Sequence, residues 1–167
     1  HRNPHFCGRG GGPRERRKAG NQRSCDEPSC GREHYPRTDP AVIMLVTRDG
    51  DDGACLLGRQ SAWPAGRFST LAGFVEPVGT LEAAVAGEVF EETTVQVSDV
   101  RYLGSQPWPF PASLMLGFRA RAVTDGIRVN ASEIEDARWF TRAQLLRFED
   151  DGYHFPRRGS IAHWMIA

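Results

Sequence analysis

One segment of this chain of 167 residues is clearly helical, and strand-like segments lie on both sides of it. Thr80 is a suitable N-cap for a helix that continues to Glu92. The apolar side of that helix would consist of Val85, Ala86, Val89 and Phe90. The β-branched residues after Glu92 favour its end there. A helix between groups of strands predicts a mixed α/β layer fold.

The flanking segments have the short apolar patterns of strands. We expect strands at 41–46, 54–59 and 71–75 before the helix, with a hairpin turn between the first two. After the helix we expect strands at 100–105, 114–123 and 136–140. Two short helices, over 143–148 and 161–166, would begin at the caps Thr141 and Ser160.

The N-terminal part differs from the rest in composition. Residues 1–33 are rich in Gly and Arg and poor in aliphatic side chains, so they cannot form a core unaided. Cys7, Cys25 and Cys30 all lie in this segment, and such a group suggests part of a zinc ribbon. We therefore predict a zinc-ribbon-like segment over 1–38 and a catalytic domain over 39–167.

The composition is that of an ordinary globular protein with a formal net charge of zero. No apolar run approaches the roughly 18 residues of a membrane span. The first residues lack the apolar region of a secretory signal. We therefore expect a cytoplasmic protein that does not act at a membrane.

Three carboxylates of the predicted helix share one face. Glu88, Glu91 and Glu92 are spaced i, i+3 and i+4. Like charges at this spacing repel each other unless a cation lies between them, and clustered carboxylates suit Mg²⁺ or Mn²⁺. Taken alone, the same pattern is also that of a solvated acidic helix face.

The segment from Gly73 to Val95 favours the metal site, because it resembles the Nudix box, G-x5-E-x7-R-E-U-x-E-E-x-G-U, where U is bulky and aliphatic. The matching residues are Gly73, Glu88, Val89, Glu91, Glu92 and Val95. The resemblance implies a Nudix-type α/β/α sandwich with a mixed sheet. It also implies that the helix carboxylates bind divalent ions at a pyrophosphate.

Four positions depart from that pattern. Gly79 and Gly87 stand where the family has the Glu and Arg that pair and brace the loop against the helix. Thr94 stands where the box has Gly, and Val78 replaces the Gly common before the first Glu in the branch considered next. We expect a loop of altered shape at 76–80 and a reduced rate.

A second motif narrows the resemblance to the NADH pyrophosphatase branch of the family. The run Ser105–Ser113 reads SQPWPFPAS and is similar to the array that marks that branch. By the same resemblance Glu133 completes the metal site, although alone it would be judged an exposed charge. Phe74 would stack on a base of the dinucleotide, with core packing as the alternative. The implied substrate-binding residues are Phe74, Ser105, Gln106, Trp108, Phe110 and Ser113.

The zinc ribbon of that branch uses two cysteine pairs, and both pairs are altered in this chain. Gly10 occupies the place of a partner for Cys7, and four residues separate Cys25 from Cys30. His5 or His34 would have to supply a fourth ligand, because closed structural zinc sites have four.

The sequence supports three hypotheses about function. The first is hydrolysis of NAD(H)-like dinucleotides to nicotinamide mononucleotide and AMP, and possibly of NAD-capped RNA, by a Mg²⁺- or Mn²⁺-dependent homodimer. The second is a degenerate relative that binds a nucleotide or RNA end without turnover. The third, an RNA-binding zinc-ribbon module, rests only on the basic N-terminal segment.

Overall fold

The computed structural model describes residues 16–17, 22–24, 29–30, 33–35, 37–50 and 53–167. The chain divides into two compact units, His1–Thr38 and Asp39–Ala167. In the first unit, the strands β1 (Arg16–Arg17), β2 (Gln22–Ser24) and β3 (Glu33–His34) form a small antiparallel sheet. Cys7 and Cys25 lie outside the described residues, and Cys30 is half-buried in a turn. The zinc site stays a prediction.

The second unit contains six strands and three helices among its described residues. Before the main helix come β4 (Asp39–Arg48), β5 (Ala54–Arg59) and β6 (Leu71–Phe74). The helix α1 (Leu81–Thr93) precedes β7 (Val97–Trp108), β8 (Ser113–Ala122) and β9 (Asp136–Thr141). The short helices α2 (Arg142–Leu146) and α3 (Ile161–Ile166) follow. None of the helices described is long and apolar enough to cross a membrane.

The sheet of the second unit is mixed, as predicted. Its strands follow the order β7-β8-β4-β5-β9, and β6 pairs with the same edge of β4 as β5 does. The contact between β4 and β8 is parallel, and the other pairings are antiparallel. The predicted β4–β5 hairpin is confirmed, with Val46 opposite Leu56.

Alternation along β4 places helices on both faces of the sheet. Val42, Met44 and Val46 are buried in the core that contains Val85 and Val89 of α1. Ile43 points to the opposite face, where its neighbours in the core are Ile161, Ala162 and Met165 of α3. The α/β/α sandwich expected from the sequence is therefore confirmed.

The main helix begins and ends close to the predicted residues. Thr80 accepts a hydrogen bond from the backbone N–H of Ala83 at 3.2 Å, which confirms the N-cap. The prediction that Phe90 belongs to the apolar side is wrong, because 49% of this residue is exposed. The helical repeat of 3.6 residues instead directs Val85, Val89 and Glu92 inward.

Candidate active site

Glu88 packs directly against the backbone of β6. A Cβ atom built on Gly73 would lie 1.8 Å from Cδ of Glu88, so a larger residue would displace this carboxylate. Gly73 is opposite Val42 in the β4–β6 pairing. The sheet and the helix together therefore fix the position of Glu88.

Glu92 is the most deeply buried carboxylate of the helix. Only 6% of the residue is exposed, and its Oε2 atom has no hydrogen-bond partner among the described residues. Burial raises the pKa of Glu92 to about 8, with Glu88 and Glu133 adding to the effect. A carboxylate held in this way favours a proton or a cation beside it.

Glu133 reaches the helix because its loop is tied to the C-terminal end of α1. The backbone N–H of Asn130 donates to the carbonyl oxygen of Glu92 at 2.9 Å, and that of Arg128 donates to Thr93 at 2.9 Å. Asn130 Nδ2 also donates to Glu133 Oε1 at 3.2 Å. These bonds bring a distant part of the sequence beside the helix carboxylates.

A further carboxylate, Glu76, was not identified from the sequence. Burial raises the pKa of Glu88, and the charges of Glu91, Glu133 and Glu76 raise it further. Glu76 lies in the loop before α1, where the Nudix box assigns no fixed residue, so no motif indicated it. The structure thus adds a fourth carboxylate to the surroundings of Glu88.

These carboxylates fit a hard divalent cation chemically, although they do not yet surround one point. In the described ranges, no three His, Cys, Asp or Glu side chains stand in a metal-coordinating arrangement. Mg²⁺ and Mn²⁺ prefer oxygen ligands, and the Oε2 atom of Glu92 has no hydrogen-bond partner among the described residues that would compete with such an ion. Glu91 and Glu133 are exposed, so their side chains are free to turn toward an ion bound at Glu92.

A cavity of about 250 Å³ opens beside Glu92. Its walls are mainly apolar, with Ile43 and Leu71 from the sheet and Ile161 from α3. Glu92 lines this cavity and also belongs to the carboxylate cluster. A ligand held by the carboxylates would therefore have an apolar chamber next to it.

The structure brings only some of the predicted substrate-binding residues to this cavity. Gln106 and Trp108 line it, and the ring of Trp108 meets that of Phe110 edge to face at 5.6 Å between centroids. Ser105, Phe110 and Ser113 do not line the cavity. Ser105 and Phe110 are exposed, and Ser113 is buried. Of the six predicted residues, Gln106 and Trp108 are the two that line this cavity.

Phe74 does not belong to the core. The residue is 63% exposed at the end of β6, where it is opposite Ala41, and alternation along the strand directs it to the face away from Glu88. The alternative of core packing is therefore wrong. An exposed ring has a face available for stacking on a planar group.

The amide of Gln106 is already engaged with the backbone before α3. Its Nε2 donates to the carbonyl oxygen of Gly159 at 2.8 Å, and its Oε1 accepts from the N–H of Ile161 at 2.8 Å. An amide has two donors and two acceptor lone pairs, so one of each remains for a ligand. Gln106 thus positions one wall of the cavity.

Several residues that line the cavity were not identified from the sequence. Arg59, Trp63, Arg67 and Arg157 all contribute to the lining. Arg157 lies far along the chain from the other three, and no spacing rule connects it to them. The run from Arg59 to Arg67, with two arginines around a tryptophan, is the one signal that was present.

The chain matches the model of the NUDIX domain over residues 37–164 and belongs to the Nudix family. It is 46% identical to the NAD-capped RNA hydrolase NUDT12 of Homo sapiens over 171 aligned positions, which cover 96% of this chain and 37% of that protein. It is 49% identical to the NAD-capped RNA hydrolase NudC of Mycobacterium bovis over 87% of this chain and 45% of that protein. The chain therefore spans less than half the length of these relatives.

Solved structures show the same fold at lower identity. A MutT/nudix family protein from Enterococcus faecalis superimposes with a TM-score of 0.57 at 20% identity, covering 65% of this chain and 45% of that one. The NUDIX domain of Shewanella oneidensis NrtR, complexed with ADP ribose, gives 0.58 at 18% identity over 68% of this chain and 79% of that one. At these identities the likeness concerns the fold alone.

Proposed function

We propose that this chain hydrolyses the pyrophosphate of NAD(H)-like dinucleotides in a reaction that requires Mg²⁺ or Mn²⁺, giving nicotinamide mononucleotide and AMP. The observation that carries the proposal is the double position of Glu92, in the carboxylate cluster and in the cavity wall. A pyrophosphate at the cluster would extend one nucleoside half into the cavity. The similarity to two NAD-capped RNA hydrolases supports this substrate class and adds NAD-capped RNA to it.

The roles follow from where each side chain lies. Glu88, Glu91, Glu92 and Glu133 would hold the divalent ions, which when bound neutralise phosphate oxygens and lower the pKa of water. Phe74, an exposed ring at the end of β6, would stack on a base. One helix carboxylate accepts a proton from water, the water oxygen bonds to phosphorus, and the bond to the bridging oxygen breaks.

The second candidate function is nucleotide binding without turnover. Gly79, Gly87 and Thr94 depart from the Nudix box, and the described carboxylates do not converge three at a time. Loss of the brace displaces the ligands, and a small displacement can lower the rate about 10²-fold. The retained carboxylates favour reduced hydrolysis over none.

Release of AMP from NADH with Mg²⁺ or Mn²⁺ distinguishes the two functions. We expect slow turnover that a chelator stops and that Glu92→Gln abolishes, because the substitution removes the charge and keeps the shape. The matched control is Glu82→Gln, which alters an exposed carboxylate in the first turn of the same helix. Equal rates for the parent and Glu92→Gln in a clean preparation would show a binder.

Folding of the Glu92→Gln variant can be checked separately. The substitution replaces a buried carboxyl whose charged form burial and the charges of Glu88 and Glu133 already disfavour, and whose Oε2 atom has no hydrogen-bond partner in the described chain. We therefore expect its thermal stability in chelator to equal or exceed that of the parent. Loss of activity in a protein that is no less stable would then be a loss of chemistry.

We further propose a cytoplasmic homodimer with zinc at Cys7, Cys25 and Cys30, following the resemblance to the NADH pyrophosphatase branch. Metal analysis of the purified chain tests the zinc, and Cys55, buried in the second unit, is a control thiol outside the group. Zinc that survives a triple Cys→Ser variant would contradict the assignment. Light scattering tests the dimer.

A further inference from the structure

Three residues that line the same cavity each carry a buried polar atom without a hydrogen-bond partner. Among the described residues, the buried side-chain atoms without a hydrogen-bond partner include Arg67 Nε, Thr70 Oγ1 and Glu92 Oε2, and all three residues belong to the cavity lining. Thr70 is only 5% exposed. Buried polar groups without partners are rare in folded proteins, so their convergence on one chamber indicates a ligand.

Arg67 is held in place by a stacking contact and not by an ion pair. Its guanidinium lies 5.3 Å from the ring centroid of Trp63. Stacking orients the planar group and leaves its edges available for hydrogen bonds. No carboxylate pairs with Arg67 anywhere in the described part of the chain.

Arg157 is brought to the same cavity by backbone bonds between two loops. The N–H of Phe68 donates to the carbonyl oxygen of His154 at 3.2 Å, and the N–H of His154 donates to Gly66 at 2.9 Å. Arg157 lies three residues beyond His154, is exposed, and also has no acidic partner in the described ranges. Two arginines without carboxylate partners therefore line one chamber.

Neither of these two arginines is engaged by the carboxylate of Glu92. Glu92 Oε2 has no partner within the described residues, so neither guanidinium bonds to it. Arg59, the third arginine of the lining, forms an ion pair with Glu135. Arg67 and Arg157 therefore remain available to an anionic group of a ligand.

We propose that Arg67 and Arg157 are specificity residues that bind a phosphate on a ribose of the substrate, in addition to its pyrophosphate. This inference rests on the proposed function. A phosphate monoester carries a charge of about −1.5 to −2 at pH 7, which matches two arginines. The guanidinium fork suits phosphate oxygens, and Thr70 adds a hydroxyl.

Two kinds of substrate carry a phosphate on a ribose, and comparing them shows which one the arginines bind. NADPH carries a 2′-phosphate monoester, NAD-capped RNA carries a 3′-phosphodiester, and NADH carries neither. The experiment measures kcat/KM for all three with the full chain, Arg67→Met and Arg157→Met. Met keeps an unbranched apolar stem for packing on Trp63. Arg119→Met, which changes an exposed arginine outside the cavity lining, is the matched control.

We expect the parent to favour NADPH or the capped RNA over NADH. Each cavity variant should lower that preference about tenfold or more, the effect of losing one charge-assisted hydrogen bond. The control should keep the preference of the parent. A fall confined to NADPH identifies the 2′-monoester, and a fall confined to the capped RNA identifies the 3′-diester. The same preference in parent and cavity variants would overturn the inference and leave the proposed hydrolysis intact.

Binding in chelator separates failure of this inference from failure of the proposed function. If no substrate is hydrolysed, equilibrium dialysis still compares NADPH, capped RNA and NADH. Tighter binding of a ribose-phosphate substrate that Arg67→Met abolishes supports the inference, and equal binding of all three overturns it. Should Arg67→Met not fold, Arg67→Lys keeps a charge without the fork, and we expect it to lose part of the preference.

Discussion

Gly73 and Glu88 are in contact where β6 approaches α1, and the absence of a side chain at Gly73 is what admits the carboxylate. The glycine is fixed in the sheet opposite Val42, so it cannot yield without disturbing β4. Glu88 must move if anything larger than hydrogen stands at this position. A residue that carries no functional group thereby determines the geometry of one that does.

Gly73→Ala should therefore impair hydrolysis without unfolding the protein. The new methyl group would lie 1.8 Å from Cδ of Glu88 and displace it. We expect kcat for NADH to fall about 10²-fold, the loss that a small misplacement of catalytic groups causes. The control is Gly126→Ala, where a Cβ meets nothing within 4 Å. Comparable rates for Gly73→Ala and the parent would show that Glu88 has no part in the chemistry.

The sequence predicted the relative positions of the helix carboxylates better than their surroundings. The spacing of Glu88, Glu91 and Glu92 was enough to place them on one helix face, because the helical repeat fixes that relation. It could not show that Glu92 is buried while Glu91 is exposed, since this depends on what packs against the helix. Arg67 and Arg157 escaped notice because hydrogen bonds between two loops bring their segments together.

At the level of the elements, α1 ends in a conformation that suits glycine. Thr94 has φ of 61°, and its N–H donates to the carbonyl oxygen of Phe90 at 2.8 Å. Val78, in the loop before the helix, has φ of 66°. Both positions are those where the resemblance leads one to expect Gly, and here a β-branched residue occupies a conformation that strains it.

Thr94→Gly should stabilise the protein. A β-branched residue in the left-handed region costs about 1–2 kcal/mol, and glycine relieves this strain at the helix end. Because glycine also gains freedom in the unfolded chain, we expect a net increase of about 1 kcal/mol in the free energy of unfolding, measured with urea. Thr94→Ala is the control, since alanine keeps the strain. If Thr94→Ala raised the free energy of unfolding as much as Thr94→Gly does, the stabilisation would come from removing the threonine side chain and not from relief of backbone strain.

The lost brace between the loop and α1 can be tested by restoring it. A Cβ at Gly87 meets only Glu91 Oε1, at 4.0 Å, and one at Gly79 meets only the carbonyl oxygen of Glu76, at 3.4 Å. Both sites therefore accept a side chain. We expect Gly79→Glu with Gly87→Arg to raise kcat for NADH more than either change alone, because a single restored charge lacks its partner.

Helix stabilisation is the alternative cause of such a gain. Glycine in a helix interior costs roughly 1 kcal/mol relative to alanine, so Gly87→Ala stabilises α1 without supplying the charge. If Gly87→Ala raises kcat as much as the double variant does, the brace is not what the chain lacks. If only the double variant gains, the loop and the helix act together on the carboxylates.

The sequence predicted nearly every element of the second unit, but not all of the side chains that α1 buries. The apolar run of β4 and the caps of α2 and α3 are local signals, and they were sufficient. Phe90 was assigned to the apolar side because it follows Val89, yet the sheet covers the arc from Val85 to Glu92. Hydrophobicity alone could not show that a carboxylate takes a buried position there.

At the scale of the whole molecule, all three hydrophobic clusters found among the described residues lie in the second unit. The cluster under α1, the aromatic cluster around Phe68 and Phe140, and the cluster under α3 are built from residues after Asp39. The candidate carboxylates and the cavity are there as well. Among the described residues, every member of these clusters and every carboxylate to which we assign the chemistry comes from the second unit.

A shortened chain of residues 39–167 should therefore fold and hydrolyse NADH by itself. Burial of apolar surface drives folding, and the clusters that supply it remain complete. We expect one cooperative thermal transition by circular dichroism. We also expect metal-dependent release of AMP at a rate that is reduced by much less than about 10²-fold relative to the full chain, because a loss of about 10²-fold is what a misplaced site would cause. The same preparation with Glu92→Gln controls for contaminating hydrolases. A shortened chain that folds but loses activity by that factor would show that residues 1–38 hold the site in shape. Failure to fold would place part of the stability of the second unit in the first.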